Sequence, residues 1–330
     1  MSRKKSKKEQ DMHYRRLGRT GIKISEISLG AWVTFGAQIS DKTAVELVRA
    51  AVEAGVNFFD NADVYAAGKA EEALGLAIKD IPRETLVIST KVFNQTFEGV
   101  NGRGLSRKHI TESIHASLKR LKLDYLDIYF CHRHDPDTTV EEVVQTMDIL
   151  TRQGKILYWG TSEWDVFHLT QAITFARDNG LIPPMVEQPK YHLMHRAHVE
   201  NDLAPLYQEF GIGLTTFSPL NYGILSGKYN NGIPEGSRAT LEDMAWLKDR
   251  VTPQAIDKVK ALTAIASDLG ATTAQLAIAW LLRRKEISSV ITGATRLEQL
   301  DENLAAADFV DNLSDSVFDS IENLFPIDNS

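Results

Sequence analysis

Four residues of the kinds that move protons stand at the ends of three successive apolar segments. Asp60 and Tyr65 follow "NFF", Lys91 follows "LVIST", and His132 follows "YLDIYFC". Each alone has an ordinary explanation: aspartate starts turns, tyrosine caps a core with its hydroxyl outward, and a lone histidine is more often structural than catalytic. Together they make a proton-transfer device. A free phenol, with a pKa of about 10, is a poor acid at neutral pH. A neighbouring ammonium favours the phenolate and lowers that pKa, and a carboxylate can hold the ammonium in place. A histidine can hydrogen-bond a substrate oxygen or relay its proton. The chemistry this set suits is proton donation to the carbonyl oxygen of an aldehyde or ketone undergoing reduction, which needs a separate hydride donor. Asp63, in the same stretch, reads as a turn residue.

Such a set works only if the chain delivers it to one place. Tyr14–Leu17 and Lys23–Ile24 read as a hairpin, and Ile27–Leu29 as a first inner strand. Short apolar strands then fall near 56–60, 86–90, 125–131, 156–160, 185–188, 212–217 and 289–292. Helical patterns lie near 41–54, 69–79, 106–121, 139–153, 165–179, 199–210 and 253–284. Ser40 or Asp41 caps the first helix, which closes on Gly55, and Ser106 caps a helix with Ile110, Ile114, Leu118 and Leu121 on one face. Eight strands, each followed by a helix, predict parallel pairing with right-handed crossovers and closure into an (α/β)8 TIM barrel. Its expected form has an N-terminal β-hairpin and long loops at the C-terminal face, at 92–105 and 218–251, where barrel active sites lie. Polar residues at the strand ends are Trp32, Asp60, Tyr65, Lys91, His132, Ser162, Gln188, Ser218 and Thr292–Thr295.

Bulk properties narrow the classes. A 330-residue chain with 43% hydrophobic residues can bury a large core, and no composition break marks a second domain, so residues 12–330 read as one barrel domain. With 37 basic against 44 acidic residues the net charge is −7, which argues against nucleic acid as a partner. The single cysteine, Cys131, rules out an intrachain disulfide and suits the cytoplasm. No apolar run reaches the roughly 20 residues that span a bilayer, so no direct membrane insertion is expected. Residues 1–11, "MSRKKSKKEQD", read as a basic, disordered tail, with a membrane-surface or nuclear address as the other reading.

Two other chemistries are weighed. In "CHRHD" (131–135) the residue types suit zinc, but adjacent strand residues face opposite ways, so Cys131 and His132 cannot easily share an ion. His192, His195 and His198 have i, i+3, i+6 spacing and read as rim and surface residues; no metal site is assigned. "GILSGKY" is one residue short of a P-loop and ends in tyrosine, and no G-x-G-x-x-G occurs. A dinucleotide must therefore bind without the Rossmann fingerprint.

The segment 58–75, with "ISTKVF", "YLDIYFCHRHDP", "YWGTSEW", "EQPKYHL", "TFSPLNYGILSGKY" and "ITGATRLEQLDEN", resembles the aldo-keto reductases over about residues 13–325. "WVTFGAQIS", "GKYNNGIPEGSRATLEDMAWLKDR" and "LAIAWLLRRKEISSVITGA" resemble the branch that holds the β subunits of voltage-gated potassium channels. The resemblance implies reduction of a small carbonyl substrate with NADPH bound extended across the strand C-termini. It assigns the tetrad to Tyr65 as general acid, Lys91 and Asp60 as its tuning partners, and His132 as the substrate-orienting group. It assigns the cofactor to Trp32, Gln38, Asp60, Ser162, Gln188, Phe217, Ser218, Pro219, Leu220, Gly223, Lys228, Arg238, Gly293, Thr295, Arg296, Gln299, Glu302 and Asn303. Ser162 and Gln188 would take the carboxamide, Ser218 to Arg238 the ribose and pyrophosphate, and Thr295 to Asn303 the adenosine end. A helix start at Thr295–Gln299 suits a 2′-phosphate, which favours NADPH over NADH.

The chain departs from that branch in three places. His132 stands where the channel subunits usually carry asparagine, Glu163 where arginine is common, and Gly236 where a bulkier residue precedes Ser237. The first favours a working reductase over the alternative, a redox-sensing regulatory β subunit with slow turnover. The branch further implies a homotetramer and a channel partner. The substrate pocket would be set by the loops at 32–38, 92–105 and 218–240.

Overall fold

In the computed structural model, which describes residues 12–327, the first two strands seal one end of a barrel. The basic segment 1–11 lies outside the described residues. β1 (Tyr14–Arg16) and β2 (Lys23–Ser25) pair antiparallel. β3 (Ile27–Gly30), β4 (Phe58–Asp60), β5 (Val87–Val92), β6 (Leu126–Cys131), β7 (Ile156–Ser162), β8 (Val186–Gln188), β9 (Gly213–Thr216) and β10 (Ile287–Thr292) succeed one another round a closed barrel. Every neighbouring pair is parallel, and β10 returns to β3. The (α/β)8 architecture is the one the strand–helix alternation implies.

The two-residue period of the strands divides the core into two layers. Phe58, Val87, Ile128, Phe130, Val186 and Ile291 fill the lumen, joined by Leu17 and Ile24 from the hairpin, which plug its N-terminal end. The alternate residues Phe59, Ile88, Tyr129 and Cys131 face the helices. Burying each such large apolar side chain contributes about 1.5–3 kcal/mol. Arg15 locks the hairpin down by donating to the carbonyls of Leu282, Arg284 and Ile287.

The surrounding helices are α1 (Asp41–Glu53), α2 (Lys69–Ile78), α3 (Arg107–Leu121), α4 (Val140–Arg152), α5 (Val166–Asp178), α6 (Pro253–Asp268), α7 (Thr273–Leu282), α8 (Leu297–Leu304) and α9 (Asp315–Leu324). Ser40, Ser106, Thr139, Asp165, Thr252, Thr272 and Ser314 each accept a hydrogen bond from the amide three residues on. Each cap stabilises its helix by about 1 kcal/mol. Ser40, not Asp41, caps α1.

Four local expectations are corrected. The pattern at 253–284 is two helices bent by 85°, because Gly270 turns the chain at φ 69° and Thr272 caps a new start. The pattern at 199–210 is two short turns, His198–Asp202 and Leu206–Phe210; Pro205 lies between them and lacks the N–H a continuous helix needs. β5 runs on to Val92, so Lys91 lies inside the strand. His192 is buried, not at the rim, with Nδ1 accepting from the Met194 amide.

Candidate active site

Lumen-facing positions continue upward into polar residues at the C-terminal end of the barrel. On β4 the inward residue after Phe58 is Asp60. On β5 the inward series is Val87, Ser89 and Lys91, and on β6 it is Ile128, Phe130 and then His132. The register sets Asp60 beside Ser89 and Lys91 beside Phe130. Alternation along three neighbouring strands thus stacks an acidic, a basic and an imidazole group above an apolar floor. Tyr65 arrives from the loop after β4, where Ala66 and Ala67 hold left-handed backbone at φ 49° and 54°. Val33, Glu163, Ser218, Asn221 and Tyr222 also have positive φ on loops at this end. Strain of this kind collects where a fold must aim side chains at a site.

The geometry is that of one hydrogen-bonded unit. Lys91 Nζ donates to Asp60 Oδ2 at 2.5 Å, to the Asn61 carbonyl at 2.7 Å and to the Tyr65 hydroxyl at 3.4 Å. Asp60 Oδ1 accepts from Ser89 Oγ at 2.7 Å and from Gln188 Nε2 at 3.0 Å. His132 meets the Tyr65 ring edge-on with centroids 5.8 Å apart, and its Nδ1 lies 3.2 Å from Asn94 Nδ2. Arg133 donates to the His132 carbonyl at 2.5 Å and to Ser162 Oγ at 3.4 Å.

The electrostatics differ from the sequence expectation at Tyr65. Burial, and next the charge of Asp60, raise the phenol well above its ordinary pKa of 10.0, against an opposing pull from Arg133. The Lys91 ammonium lies closer to the carboxylate than to the phenol, so much of its field is neutralised by Asp60. Tyr65 therefore keeps its proton at neutral pH, the form a proton donor needs. Burial lowers the Lys91 pKa, and the Asp60 charge and hydrogen bond oppose it. Burial, Lys91 and Arg133 hold His132 well below 6.5, so its ring is neutral. Asp63, read as a turn residue, sits in a turn but is buried; its carboxyl is pushed up to about 8 by burial and by Glu71. Ser113 Oγ donates to it at 3.2 Å.

Above the tetrad the structure gathers most of the other anticipated residues. Ser162 Oγ donates to the Gln188 carbonyl at 2.9 Å, next to Arg133. Phe217 pairs with Lys190, and the turn Ser218–Pro219–Leu220 leads to Gly223 at φ 98°. Lys228 crosses Gly223 so closely that a Cβ there would stand 2.6 Å from Nζ. Arg238 passes Gly293, and burial together with Arg238 and Arg296 lowers Lys228 to about 8. Neither Lys228 nor Arg238 meets a carboxylate among the described residues. Two partly buried cations left without counter-charge, over a glycine that leaves room, fit the phosphates of a dinucleotide.

At the far end, Gln299 Oε1 accepts from both the amide and the hydroxyl of Thr295 at 2.9 Å. Asn303 Nδ2 donates to the Gly293 carbonyl, and the Glu302 carbonyl accepts from Gln275. Arg296 precedes α8 and reaches Glu298 at 3.8 Å. Trp32 is exposed and meets Tyr222 edge-on at 5.6 Å; Tyr222 in turn meets Trp246 at 4.9 Å. Gln38 ends the turn Thr34–Gln38, and no hydrogen bond among the described residues ties it to the set. Glu163 braces the backbone beside β8, where its Oε1 accepts from the Lys190 amide at 2.6 Å.

Sequence reasoning missed Ser89, Asn94, Arg133, Tyr222 and Trp246. Ser89 was within reach, since it lies two residues before Lys91 on an alternating strand. The other four lie on segments without periodicity.

An Aldo/keto reductase family model matches residues 26–325. Two plant proteins, from Oryza sativa subsp. japonica and Arabidopsis thaliana, are each 49% identical over 315 residues, covering 94% of this chain and 96% of the relative. Both carry the name "Probable voltage-gated potassium channel subunit beta".

Proposed function

The chain belongs to the aldo/keto reductase family, an oxidoreductase family that works with NAD(P)H, and on that premise we propose that it reduces aldehydes or ketones to alcohols with NADPH. The observation that carries this is the contact of the Lys91 ammonium with Asp60 on one side and the Tyr65 hydroxyl on the other, with His132 across the Tyr65 ring. When bound, the dihydronicotinamide supplies the hydride. Tyr65 holds its proton at neutral pH and donates it to the developing alkoxide. Lys91, charged against Asp60, sits behind the phenol and stabilises the negative charge that Tyr65 acquires. Neutral His132 offers a hydrogen bond to the same oxygen. Ser162 and Gln188 would hold the nicotinamide end, Lys228 and Arg238 the pyrophosphate, and Thr295, Arg296 and Gln299 the 2′-phosphate.

Loss of NADPH absorbance with methylglyoxal and para-nitrobenzaldehyde tests this reading, for the wild type and for Tyr65→Phe. Wild-type turnover that drops about a hundredfold or more in Tyr65→Phe, with NADPH affinity kept, supports it. No NADPH binding in either protein would refute it.

A second reading is favoured by the relatives' names alone. In it the chain is a cytoplasmic, homotetrameric β subunit whose bound cofactor reports redox state to a potassium channel. No single helix among the described residues is long and apolar enough to cross a membrane, so the channel would be a separate chain. Tight NADPH binding with slow turnover and co-purification with a channel would favour this reading. Fast turnover on small aldehydes would favour the first.

A further inference from the structure

His132 enters the site with one ring nitrogen already engaged. Nδ1 lies 3.2 Å from Asn94 Nδ2. An amide nitrogen has hydrogens to give and no lone pair to offer, so the imidazole nitrogen facing it must accept. The ring's single proton then resides on Nε2, the nitrogen for which no partner is found among the described residues. The backbone explains why Asn94 can do this. Val92 and Cys131 are register partners at the ends of β5 and β6, so His132, the first residue past β6, emerges within reach of Asn94, the second residue past β5. The strand that delivers Lys91 to Tyr65 also delivers Asn94 to His132.

The groups around the ring keep it neutral. Burial disfavours a second proton most, and Lys91 on β5 and Arg133, next in the chain, add to it. Tyr65 presents its ring and Asn94 its amide; no carboxylate is hydrogen-bonded to His132 among the described residues. A neutral imidazole has one donor and one acceptor, so its tautomer decides which of them meets the substrate. With the proton on Nδ1, Nε2 would present a lone pair to the carbonyl oxygen and repel it.

We propose that Asn94 is a positioning residue that sets the tautomer of His132, keeping Nε2–H as a hydrogen-bond donor to the carbonyl oxygen that Tyr65 protonates. This rests on the reductase reading above, because the donor has a use only where a carbonyl oxygen arrives. No bond is made or broken by Asn94 or His132 in this role. The proton that reaches the product comes from Tyr65.

Asn94→Asp reverses the polarity with almost no change of shape. A carboxylate accepts from Nδ1–H, which strips the proton from Nε2 in the neutral ring and also raises the histidine's affinity for a second proton. Two readouts are needed: NMR of isotope-labelled imidazole nitrogens for the tautomer, and kcat/KM against pH for the role. The wild type is expected to show Nε2–H. Asn94→Asp is expected to show Nδ1–H at alkaline pH, with kcat/KM lowered about a hundredfold there. It should recover about tenfold per pH unit on acidification as Nε2 regains a proton. Asn94→Ala, which lets the tautomers mix, should lose only a few-fold with an unchanged profile. NADPH affinity, read by fluorescence quenching, checks that each variant is folded.

A wild-type spectrum with the proton on Nδ1 would overturn the proposal. So would an Asn94→Asp profile parallel to the wild type. If the wild type shows Nε2–H but turns over no carbonyl, the reductase reading fails and takes the catalytic role with it, while the tautomer assignment stands.

Discussion

Lys91 Nζ stands 2.5 Å from Asp60 Oδ2, and both side chains are buried. The two partners are not equally supported. Asp60 also accepts from Ser89 and Gln188, whereas among the described residues Asp60 is the only charged group that Lys91 hydrogen-bonds. Removing one partner of a buried pair leaves a charge uncompensated, at about 3–5 kcal/mol. Asp60→Asn should approach that cost, because its amide would turn hydrogens toward the ammonium. Lys91→Met should cost less, since two donors still hold the carboxylate. Both should lose activity about a hundredfold or more. Urea midpoints rank the two variants, and a larger loss in Lys91→Met would contradict this account.

Asp63 makes stability depend on pH. Its carboxyl ionises near 3.8 in an unfolded chain and at about 8 in the folded one. Between those values the folded state holds the extra proton. The stability this group contributes is therefore complete below pH 3.8 and is lost as the pH rises to about 8. The slope is at most about 1.4 kcal/mol per pH unit. Asp63→Asn should remove this part of the decline, so the variant gains on the wild type between about pH 5 and about pH 8. Glu187, also raised to about 8 by burial, should behave likewise as Glu187→Gln. A pH-independent difference between variant and wild type in urea titrations would count against the buried-carboxyl explanation.

Lys228 should tie cofactor affinity to pH. Burial, Arg238 and Arg296 push its ammonium down to about 8. A phosphate placed among these cations favours the charged form, so binding takes up a proton and affinity falls as the pH rises through about 8. Lys228→Met should flatten that dependence and weaken NADPH binding about tenfold to a hundredfold at neutral pH. Arg296→Ala should narrow the preference for NADPH over NADH by about tenfold. Fluorescence titration with both nucleotides measures each effect; unchanged affinities would place the phosphates elsewhere.

Gly75 offers a test of packing. In an ordinary helix interior, alanine is more favourable than glycine by about 1 kcal/mol. On α2, a Cβ at this position would lie 2.7 Å from the Leu121 carbonyl oxygen and 2.9 Å from that of Arg120, at the end of α3. Backbone cannot swing aside as a side chain can. Gly75→Ala should therefore destabilise by roughly 1–3 kcal/mol. A raised unfolding midpoint would show that the helices separate at little cost.

Strand alternation and helix caps were legible in the sequence because they are local. Eight apolar segments with a helix after each leave few ways to bury both faces of a sheet, and a closed parallel barrel is one of them. The same alternation put Asp60, Lys91 and His132 on inward positions of neighbouring strands. What periodicity could not carry was the behaviour of those groups once buried. The fall expected for the Tyr65 pKa became a rise, because desolvation and the Asp60 charge outweigh an ammonium already neutralised by its carboxylate. The split of the segment 253–284 depended on one glycine and one capping threonine inside an otherwise helical pattern. Asn94 and Arg133 lie on loops, and Tyr222 and Trp246 on short 3-10 turns, where the path of the chain is set by what it packs against. Residue order determined which groups the barrel raises to its mouth. Tertiary structure alone decided their distances and burial, and through them which atom carries each proton.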